Sequence, residues 1–287
     1  MFDGLHLGHH SIIERVKKAA VACNGESFLF SFSAHPRNVL FPQETDLKLL
    51  TDPIEKNALL SRAGVQHLLL FPFDLEFSKM EPEHYVKKIL VDGLHAHTLV
   101  VGFDHRFGAG RKGDVELLKF LGKKYGFEVD EISALEIGSN KISSSLIRKA
   151  ILNGEIEKAN AFLGRKYSFR GKVLQGKKLG KEIGFPTANL RVADRLKLIP
   201  KTGVYAVSVE FNNLTFKGMM NIGTNPTISS DNNLKIEVNL FNFEQNIYEM
   251  ELEVFVHNRL RDEVKFSTVG DLVLQLKMDK QNALSLL

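Results

Sequence analysis

Hydrophobic positions in the first half of the chain switch repeatedly between two spacings. Ile12, Ile13, Val16 and Ala20 recur at the spacing of a helix, and residues 27–33 (SFLFSFS) form a short apolar run typical of a buried parallel strand. Continued along the chain, the pattern predicts helices over residues 11–23, 52–64, 82–90 and 114–124, and strands over residues 27–33, 65–73, 98–103 and 127–132. Strands that alternate with helices in this way predict an α/β domain, with a parallel sheet covered by helices on both faces.

The pattern changes after Gly164, where the two-residue alternation of half-buried strands begins. Two short helices, over residues 144–152 and 155–163, precede the change. Beyond it, the pattern predicts strands over residues 170–174, 203–211, 214–220, 234–241 and 249–257, and a last helix over residues 268–283. Asn212-Asn213 is a suitable tight hairpin turn between two of these strands. We therefore predict a first domain over residues 1–164 and a small closed β-barrel with a C-terminal helix over residues 165–287.

Composition narrows the class of protein. A chain of 287 residues has room for two domains, and 44% hydrophobic with 25% charged residues is ordinary for a globular protein. The net charge of +4 suits an anionic small molecule, whereas the absence of a long Lys/Arg block argues against a nucleic-acid partner. We find no apolar run long enough for a membrane span, so a cytoplasmic location is the default expectation. The single cysteine, Cys23, excludes an internal disulfide; its helical spacing after Val16 and Ala20 predicts that it is buried.

The first candidate site is a loop that runs into the first predicted helix, Asp3-Gly4-Leu5-His6-Leu7-Gly8-His9. The start of a helix carries free N–H groups and a partial positive charge, so it attracts anions. Gly8, like Gly4, allows the backbone to approach a ligand closely. His6 and His9 are therefore candidate phosphate contacts, although a histidine pair at a helix start can also serve only as a surface or capping pair.

Two further segments of the first domain carry ligand chemistry. Asp104 and Arg106 follow a predicted strand, where ligands of α/β sheets bind, but a loop salt bridge is the simpler alternative. Ser144 and Ser145 begin a helix, where serine hydroxyls either cap the helix or donate to a phosphate. Arg148, one turn later, offers a forked cation to a triphosphate.

The second domain contains a dense motif, Gly184-Phe185-Pro186-Thr187-Ala188-Asn189. Thr187 and Asn189 present oxygens of the kind that Mg²⁺ prefers, from a backbone path that Gly184 and Pro186 constrain. A β-turn with local hydrogen bonds is the alternative for such a segment. In the alternating run 234–240, Glu237 lies on the polar face, so it is either a solvent-exposed residue or a base that faces a site.

The segments of the first domain resemble the nucleotidyltransferase half of the prokaryotic bifunctional riboflavin kinase/FMN adenylyltransferases, also called FAD synthetases. The matching segments are Phe2–His9, His35-Pro36, Gly102–Gly108 and Ile142–Arg148, and Ser145 replaces the family's threonine. The resemblance implies a Rossmann-like fold and an attack of the FMN phosphate on the α-phosphorus of ATP. It also implies contacts to ATP phosphates from His6, His9, Gly8, Ser144, Ser145 and Arg148, with Asp104 beside the nucleotide or the flavin.

The beginning of the chain departs from the family's pattern. The family's first strand precedes its phenylalanine-aspartate-glycine run, where this chain has only Met1. Strand one is central in a doubly wound sheet and positions His6, so we expect impaired adenylyl transfer by the polypeptide as given. Restoring about 15–20 upstream residues, enough for one central strand and its turn, should restore the activity.

The second domain resembles the riboflavin kinase domain of the same family. Gly184–Asn189 matches without a change, and further matches are Pro200–Tyr205, Asn221–Thr227, Arg261–Phe266 and Glu237–Phe243. In the last of these, Asn239 and Asn242 replace the usual histidine and aspartate.

The resemblance to the kinase domain implies a role for each matching segment. Glu237 would take a proton from the ribityl 5′-hydroxyl of riboflavin, while Thr187 and Asn189 would hold Mg²⁺ and phosphate. The loop 176–181 would fold over the nucleotide, with Lys177, Lys178 and Lys181 as phosphate contacts, and the segment 261–266 would help to enclose the flavin.

We therefore expect a bifunctional enzyme that uses riboflavin, FMN, ATP and Mg²⁺. The first alternative keeps only the riboflavin kinase, with an inactive first half. A different class, a non-catalytic flavin- or nucleotide-binding module, would bind flavin without ATP-dependent conversion, so product analysis separates the three.

Overall fold

The computed structural model describes residues 2–43, 47–133, 136–137, 140–176, 179–224 and 234–287. The contacts divide the chain into two compact units. The first comprises Met1–Leu47 and Pro53–Ser143, and the second comprises Lys48–Asp52 and Ser144–Leu287. No helix in the described ranges is both long enough and apolar enough to cross a membrane.

The first unit has the alternation of helices and strands that the sequence predicts. Its helices are α1 (Leu7–Ala22), α2 (Pro36–Leu40), α3 (Pro53–Arg62), α4 (Pro82–Tyr85) and α5 (Val115–Tyr125), and α4 continues as a π-helical segment, Val86–Val91. Its strands are β1 (Phe28–Phe32), β2 (His67–Phe71), β3 (Thr98–Gly102), β4 (Glu128–Ile132), β5 (Glu136–Ile137) and β6 (Asn140–Lys141). The α/β class of this unit is therefore confirmed.

The predicted strands pair in parallel, as expected for this class. Strand β1 pairs with β2, with Phe28 opposite His67, and β3 pairs with β4, with Thr98 opposite Glu128. Within the described residues these are two separate parallel pairs. Leu5, within the first candidate loop, is buried in one cluster with residues of α1, β1 and α3, so the loop is fixed to the core of this unit.

Cys23 is exposed, so the prediction of a buried cysteine is wrong. It follows the last residue of α1, and its Sγ lies 3.5 Å from the carbonyl oxygen of Ala20. Helical spacing shows which face a residue occupies, but not how far along the helix the core extends; Ala20 is the last buried residue of α1.

The second unit is built around a barrel. Its helices are α6 (Ser144–Asn153), α7 (Ile156–Leu163), α8 (Leu179–Glu182) and α9 (Val269–Leu286). Its strands are β7 (Tyr167–Leu174), β8 (Ala188–Arg191), β9 (Gly203–Phe211), β10 (Leu214–Thr224), β11 (Leu234–Leu240) and β12 (Glu251–Arg261). They close in the order β10-β11-β8-β7-β12-β9 with antiparallel neighbours, so the predicted barrel and C-terminal helix are confirmed.

The barrel interior explains the alternation seen in the sequence. In β12 the fully buried residues recur at every second position, as in Leu252, Val254 and Val256. The turn between β9 and β10 is the predicted one: Asn212 and Asn213 have φ angles of 52° and 61°. Two successive left-handed residues match the twist of a hairpin, and asparagine tolerates that conformation.

Helices α6 and α7 belong to the second compact unit, although the sequence analysis assigned them to the first domain. Asn160 of α7 is buried, accepts a hydrogen bond from the backbone N–H of Tyr167 at 2.7 Å, and donates one to the carbonyl of Val256 at 3.0 Å. A buried amide with partners on β7 and β12 fixes α7 to the barrel. The contacts therefore divide the chain before Ser144, while the boundary near Gly164 stays a prediction for the catalytic domains.

The segment after β12 is held to α9 by a buried ion pair. Arg261 donates to Asp279 from Nε at 3.0 Å and from Nη2 at 2.7 Å, and the Asp279 side chain is only 1% exposed. The Arg261 guanidinium also lies 5.8 Å from the centre of the Phe266 ring. This ion pair fixes the direction of the chain at the end of β12, because moving one partner away would leave the other as an uncompensated buried charge. The segment 261–266 therefore leaves the barrel on a defined path.

Candidate active sites

The first candidate site begins with a tight approach to α1. Gly4 and Leu5 have left-handed φ angles of 82° and 39°, which turn the chain into the helix. His6 is the N-cap, and its Nδ1 accepts a hydrogen bond from the backbone N–H of His9 at 3.3 Å. Because Nδ1 is an acceptor here, the proton of the neutral ring lies on Nε2. His6 therefore caps α1 and keeps one N–H donor for a ligand.

The rings of His6 and His9 are stacked, with centroids 3.7 Å apart. A Cβ at Gly8 would lie 3.2 Å from the His6 ring, tighter than ordinary contact, so this glycine makes room for the imidazole. The space that the His6 ring occupies is therefore one reason for glycine at position 8, besides the predicted close approach of a ligand. The structure thus brings His6, Gly8 and His9 together, as the motif predicts.

Both imidazoles of the first site are neutral in the folded protein. Burial lowers the pKa of His6 to about 4, and the nearby Asp3 opposes this effect only in part. Burial also lowers the pKa of His9 well below its ordinary value, and His6 adds to that effect. The Nδ1 atom of His9 is buried and has no hydrogen-bond partner in the described part of the chain. The pair therefore offers N–H dipoles to an anion, and not a positive charge.

The neutral state of the two imidazoles gives a direct prediction for NMR. We expect the ring proton signals of His6 and His9 to stay constant as the pH falls from about 8 to about 5, because their pKa values lie below the ordinary 6.5. Below about pH 6.5 the unfolded state binds more protons at these two histidines than the folded state does. Their contribution to the free energy of unfolding of the first unit is therefore fully present only above about pH 6.5. It declines as the pH falls towards 4. A titration of either signal with a midpoint near the ordinary value would contradict this result.

A lysine that the sequence analysis missed lies beside the histidine pair. Lys56 of α3 is half-buried, and its Nζ donates to the Oγ of Ser31 at 2.9 Å; Ser31 is only 3% exposed. Burial lowers the pKa of Lys56, and Asp3 opposes this effect. Lys56 in turn contributes to the lowered pKa of His9. One lysine in an amphipathic helix gives no motif, so the sequence held no signal for it.

Asp104 lies just beyond the C-terminal end of β3, as predicted, and is exposed. Arg106 has a different role: its Nη1 donates to Asp114 Oδ2 at 3.0 Å, and Asp114 caps α5 by accepting from the N–H of Leu117 at 2.9 Å. For Arg106 the simpler alternative, a loop salt bridge, is therefore what the structure contains. Asp104 stays a candidate for ligand contact.

Ser144, Ser145 and Arg148 lie on the first turns of α6, in the second compact unit. Ser145 is exposed, while Ser144 and Arg148 are partly buried. Ile147 is fully buried beside them and anchors this turn of the helix. Their predicted role as triphosphate ligands stays a prediction.

The second candidate site is a row of polar residues across three strands of the barrel. In the register of the barrel, Glu237 of β11 lies opposite Asn189 of β8 on one side and opposite Asn221 of β10 on the other. Directly opposed residues of antiparallel strands project from the same face. Ile236 and Val238, which flank Glu237, are 4% and 0% exposed and fill the interior. The row therefore lies on the outer face, where Glu237 and Asn189 come together.

The carboxylate of Glu237 already has a cationic neighbour. Lys235, two residues earlier on the same face, places Nζ 2.8 Å from Oε1 of Glu237, with side chains 51% and 25% exposed. A pair this exposed contributes only about 0–1 kcal/mol. Lys235 therefore does not prevent the carboxylate from binding a hydroxyl.

The glycines around Thr187 and Asn189 mark close backbone contacts. A Cβ at Gly176 would lie 2.1 Å from Asn189 Nδ2, and one at Gly180 would lie 2.3 Å from the carbonyl oxygen of Phe185 and 3.4 Å from Thr187 Oγ1. Gly184 has a φ of 80°, in the left-handed region that favours glycine. The backbone of this loop thus approaches both candidate ligands directly. Lys177 and Lys178, the predicted phosphate contacts, lie outside the described residues.

The oxygens of this second site fit Mg²⁺. Thr187 Oγ1 and the amide oxygen of Asn189 are hard, neutral ligands, and Glu237 lies beside Asn189 in the register. Mg²⁺ usually takes few protein ligands and keeps waters or substrate phosphates. In the described part of the chain, no group of three or more His, Cys, Asp and Glu residues could hold a metal ion. Thr187 and Asn189 are therefore the candidates.

Asn239, which departs from the family's pattern, supports the same loop. It is 6% exposed, and its Nδ2 donates to the carbonyl oxygen of Pro186 at 2.6 Å. This bond fixes the peptide that joins Pro186 to Thr187, and therefore the direction of the Thr187 hydroxyl. The alternating pattern placed Asn239 on the face of Glu237 but gave no sign of this partner.

We expect Asn239→Ala to lower kcat/KM of the kinase reaction about tenfold, because a buried carbonyl that loses its donor costs about 1–3 kcal/mol. Asn239→His, which installs the family's usual residue and restores an N–H donor, should recover most of the loss. Steady-state kinetics of FMN formation test this. Equal losses in both variants would show that the bond to Pro186 has no part in the effect.

The segment after β12 lies close to the polar row. Asn221 donates to Glu263 Oε1 at 3.4 Å, and a Cβ at Gly223 would lie 2.2 Å from the same oxygen. The carboxylate of Glu263 thus rests on β10, next to the strand that carries Glu237. The predicted role of residues 261–266 beside the flavin stays a prediction. Residues 225–227 of the matching NIGTNPT segment lie outside the described ranges.

Comparisons with known proteins cover both halves of the chain. The family model for FAD synthetase matches residues 1–146, and that for riboflavin kinase matches residues 163–287. Proteins named bifunctional riboflavin kinase/FMN adenylyltransferase are 39% identical in Listeria monocytogenes (98% of this chain, 88% of that protein) and 35% identical in Bacillus subtilis (99% and 89%). The corresponding protein of Escherichia coli is 32% identical (98% and 89%).

One solved structure matches almost the whole chain. The crystal structure of a macrolide-efflux protein from Streptococcus pneumoniae has a TM-score of 0.90 and 34% identity, over 98% of this chain and 90% of that chain. Its fold agrees with the fold of this chain. It is named for macrolide efflux, whereas the relatives above are named for riboflavin kinase and FMN adenylyltransferase activity. The two family models together span both halves of the chain, and relatives above 30% identity cover nearly all of it. These matches establish the family. The chain belongs to the family of bifunctional riboflavin kinase/FMN adenylyltransferases.

Proposed function

We propose that the two halves of the chain carry out successive steps of flavin nucleotide synthesis with separate ATP molecules. The second phosphorylates riboflavin to FMN, and the first transfers an adenylyl group to FMN to give FAD and pyrophosphate. The observation that carries the proposal for the kinase is the row Asn189–Glu237, beside Thr187 and its glycine-lined loop. Family membership of both halves favours the bifunctional enzyme over a kinase alone.

In the kinase reaction Glu237 acts as the general base. The oxygen of the ribityl 5′-hydroxyl forms a bond to the γ-phosphorus of ATP, and the bond from that phosphorus to the leaving ADP oxygen breaks. Glu237 accepts the hydroxyl proton, which a carboxylate within hydrogen-bond reach can do. Asn189 and Asn221, opposite Glu237 on both sides, orient the carboxylate and the substrates around it.

Thr187 and Asn189 would hold Mg²⁺ in the kinase site. When bound, the ion supplies positive charge against the phosphate oxygens, the common requirement of phosphoryl transfer. Asn239 contributes through Pro186, because it fixes the peptide that directs the Thr187 hydroxyl. The segment 261–266, held by Arg261 and Asp279, closes the flavin side of the site.

In the adenylyl-transfer reaction the protein supplies position and electrostatic stabilisation. A phosphate oxygen of FMN forms a bond to the α-phosphorus of ATP, and the bond to the pyrophosphate oxygen breaks, so no protein nucleophile is needed. His6 and His9 donate neutral N–H groups to phosphate oxygens at the start of α1, where the helix dipole also favours an anion. Asp104 lines the flavin or nucleotide, and the assignment of Ser144, Ser145 and Arg148 to the triphosphate rests on the family's motif.

The experiment that tests the proposed function separates the two steps. The protein is supplied with MgATP and either riboflavin or FMN, and the products are resolved by chromatography. We expect FMN from riboflavin and, at a lower rate, FAD from FMN with release of pyrophosphate. FMN alone would support the kinase-only alternative, and binding without conversion would support a flavin-binding module. The efflux named for the Streptococcus pneumoniae protein is not carried over, because both halves here match enzyme families.

A further inference from the structure

A lysine ammonium lies at the edge of the first site. Lys56 reaches from α3 to Ser31, the fourth residue of β1. Ser31 is therefore next to the C-terminal end of a parallel strand, and ligands of α/β sheets bind beyond that end. Lys56 also lies close enough to His9 and Asp3 to interact with both electrostatically.

The hydrogen bonding of Lys56 is incomplete. An ammonium has three donors, and only the bond to Ser31 Oγ is formed among the described residues. Within the described ranges, Asp3 is the one carboxylate that raises the pKa of Lys56. A half-buried ammonium with two donors to spare is poorly compensated for its loss of water. An anion that brings oxygen acceptors would correct this.

The histidine pair alone does not supply the charge that a polyphosphate requires. His6 and His9 are neutral, so they contribute dipoles only. Positioned cations are the usual means of stabilising charge that develops on transferring phosphoryl groups. Lys56 is a residue close to the pair that can add a full positive charge.

We infer that Lys56 is a substrate-binding residue of the adenylyl-transfer site, whose ammonium leaves Ser31 or shares it to bind a phosphate oxygen of a nucleotide substrate. This role rests on the proposed function of the first unit. The phosphate belongs either to ATP or to FMN, since both bring the same oxygen chemistry. The alternative is a structural role, in which the Lys56–Ser31 bond only holds α3 against β1.

The experiment compares four variants of the full-length chain: Lys56→Met, Lys56→Arg, Ser31→Ala and Arg62→Met. Arg62 lies on the same helix and is exposed, so it controls for loss of positive charge from α3. FAD formation from FMN is measured at varied ATP and at varied FMN, and FMN formation from riboflavin reports on the second unit in the same samples.

We expect Lys56→Met to raise one KM of FAD formation at least tenfold; a rise for ATP identifies its phosphate as the ligand, and a rise for FMN identifies the flavin phosphate. Lys56→Arg should keep most of the activity, because the charge remains. Ser31→Ala, which removes only the resting partner, should change either KM less than threefold, and Arg62→Met should change neither. FMN formation should be unchanged throughout.

Two results would overturn the role of Lys56. Unchanged kinetics of FAD formation in Lys56→Met would do so, and so would equal losses in Ser31→Ala and Lys56→Met, since a structural bond depends equally on both partners. In either case wild-type protein still makes FAD, so the proposed function survives. Wild-type protein that makes FMN but no FAD would instead overturn the proposed function of the first unit, and the role of Lys56 with it.

Discussion

Glu237→Gln is expected to lower the rate of FMN formation from riboflavin about 10²–10⁴-fold, the usual effect of removing a positioned general base. Glutamine keeps the shape of the side chain and its place opposite Asn189, but it cannot accept the hydroxyl proton. Because Glu237 lies on the outer face and is 25% exposed, its loss should leave the barrel folded. The loss should therefore appear in kcat, with little change in the binding of ATP.

The control for Glu237 is Glu210→Gln. Glu210 is an exposed carboxylate on β9, one residue from the end of the strand, and has no part in the proposed site. Steady-state kinetics of FMN formation should be unchanged in this variant. When FMN is supplied directly, Glu237→Gln should still form FAD at the wild-type rate. Full kinase turnover in Glu237→Gln would refute the assignment of the base.

His9→Asn is expected to lower FAD formation about 10²–10³-fold, the effect of losing one preorganised donor to developing charge. His9 is neutral and stacked on His6, so the change removes an N–H donor and a packing partner from the start of α1. Asparagine is polar and smaller, and it leaves the capping bond from the His9 backbone N–H to His6 in place. FMN formation by the second unit should be unaffected.

His67→Asn is the matched control for His9. His67 begins β2, is exposed at 42% of its side chain, and pairs with Glu26 at 3.0 Å. Kinetics of FAD formation should be the same in this variant as in the wild type. Hydrogen exchange of the α1 amides should show whether His9→Asn keeps the helix. A variant with intact exchange protection and normal FAD formation would remove His9 from the mechanism.

Much of the fold could be predicted because hydrophobic spacing reports directly on burial. The strands β1 to β4 and the barrel strand β9 appear where the spacing places them, within one or two residues at each end. Strand β8 was missed, because four residues within a glycine- and proline-containing motif are too few to show alternation. The spacing did not predict which strands pair with each other, since pairing depends on contacts between residues distant in sequence.

The candidate sites were predictable where a motif combines residue type and spacing. The register of β8 with β11 brings Asn189 and Glu237 together, and Thr187 comes directly before β8. Lys56 and Asn239 were not predicted as parts of a site, because their importance arises from partners on other elements. Lysine in a helix is exposed by default, and only the fold places this one against buried Ser31. Likewise, only the fold places Asn239 beneath the Pro186 carbonyl.

The central claim is that two separate ATP sites act on the flavin in succession. The most direct measurement follows the products from riboflavin and MgATP in mixtures of Glu237→Gln and His9→Asn, and in each variant alone. Each variant alone should make almost no FAD from riboflavin, whereas the mixture should form FMN on one chain and FAD on the other. A mixture that makes no more FAD than either variant alone, under conditions where the wild type makes FAD, would contradict two independent sites.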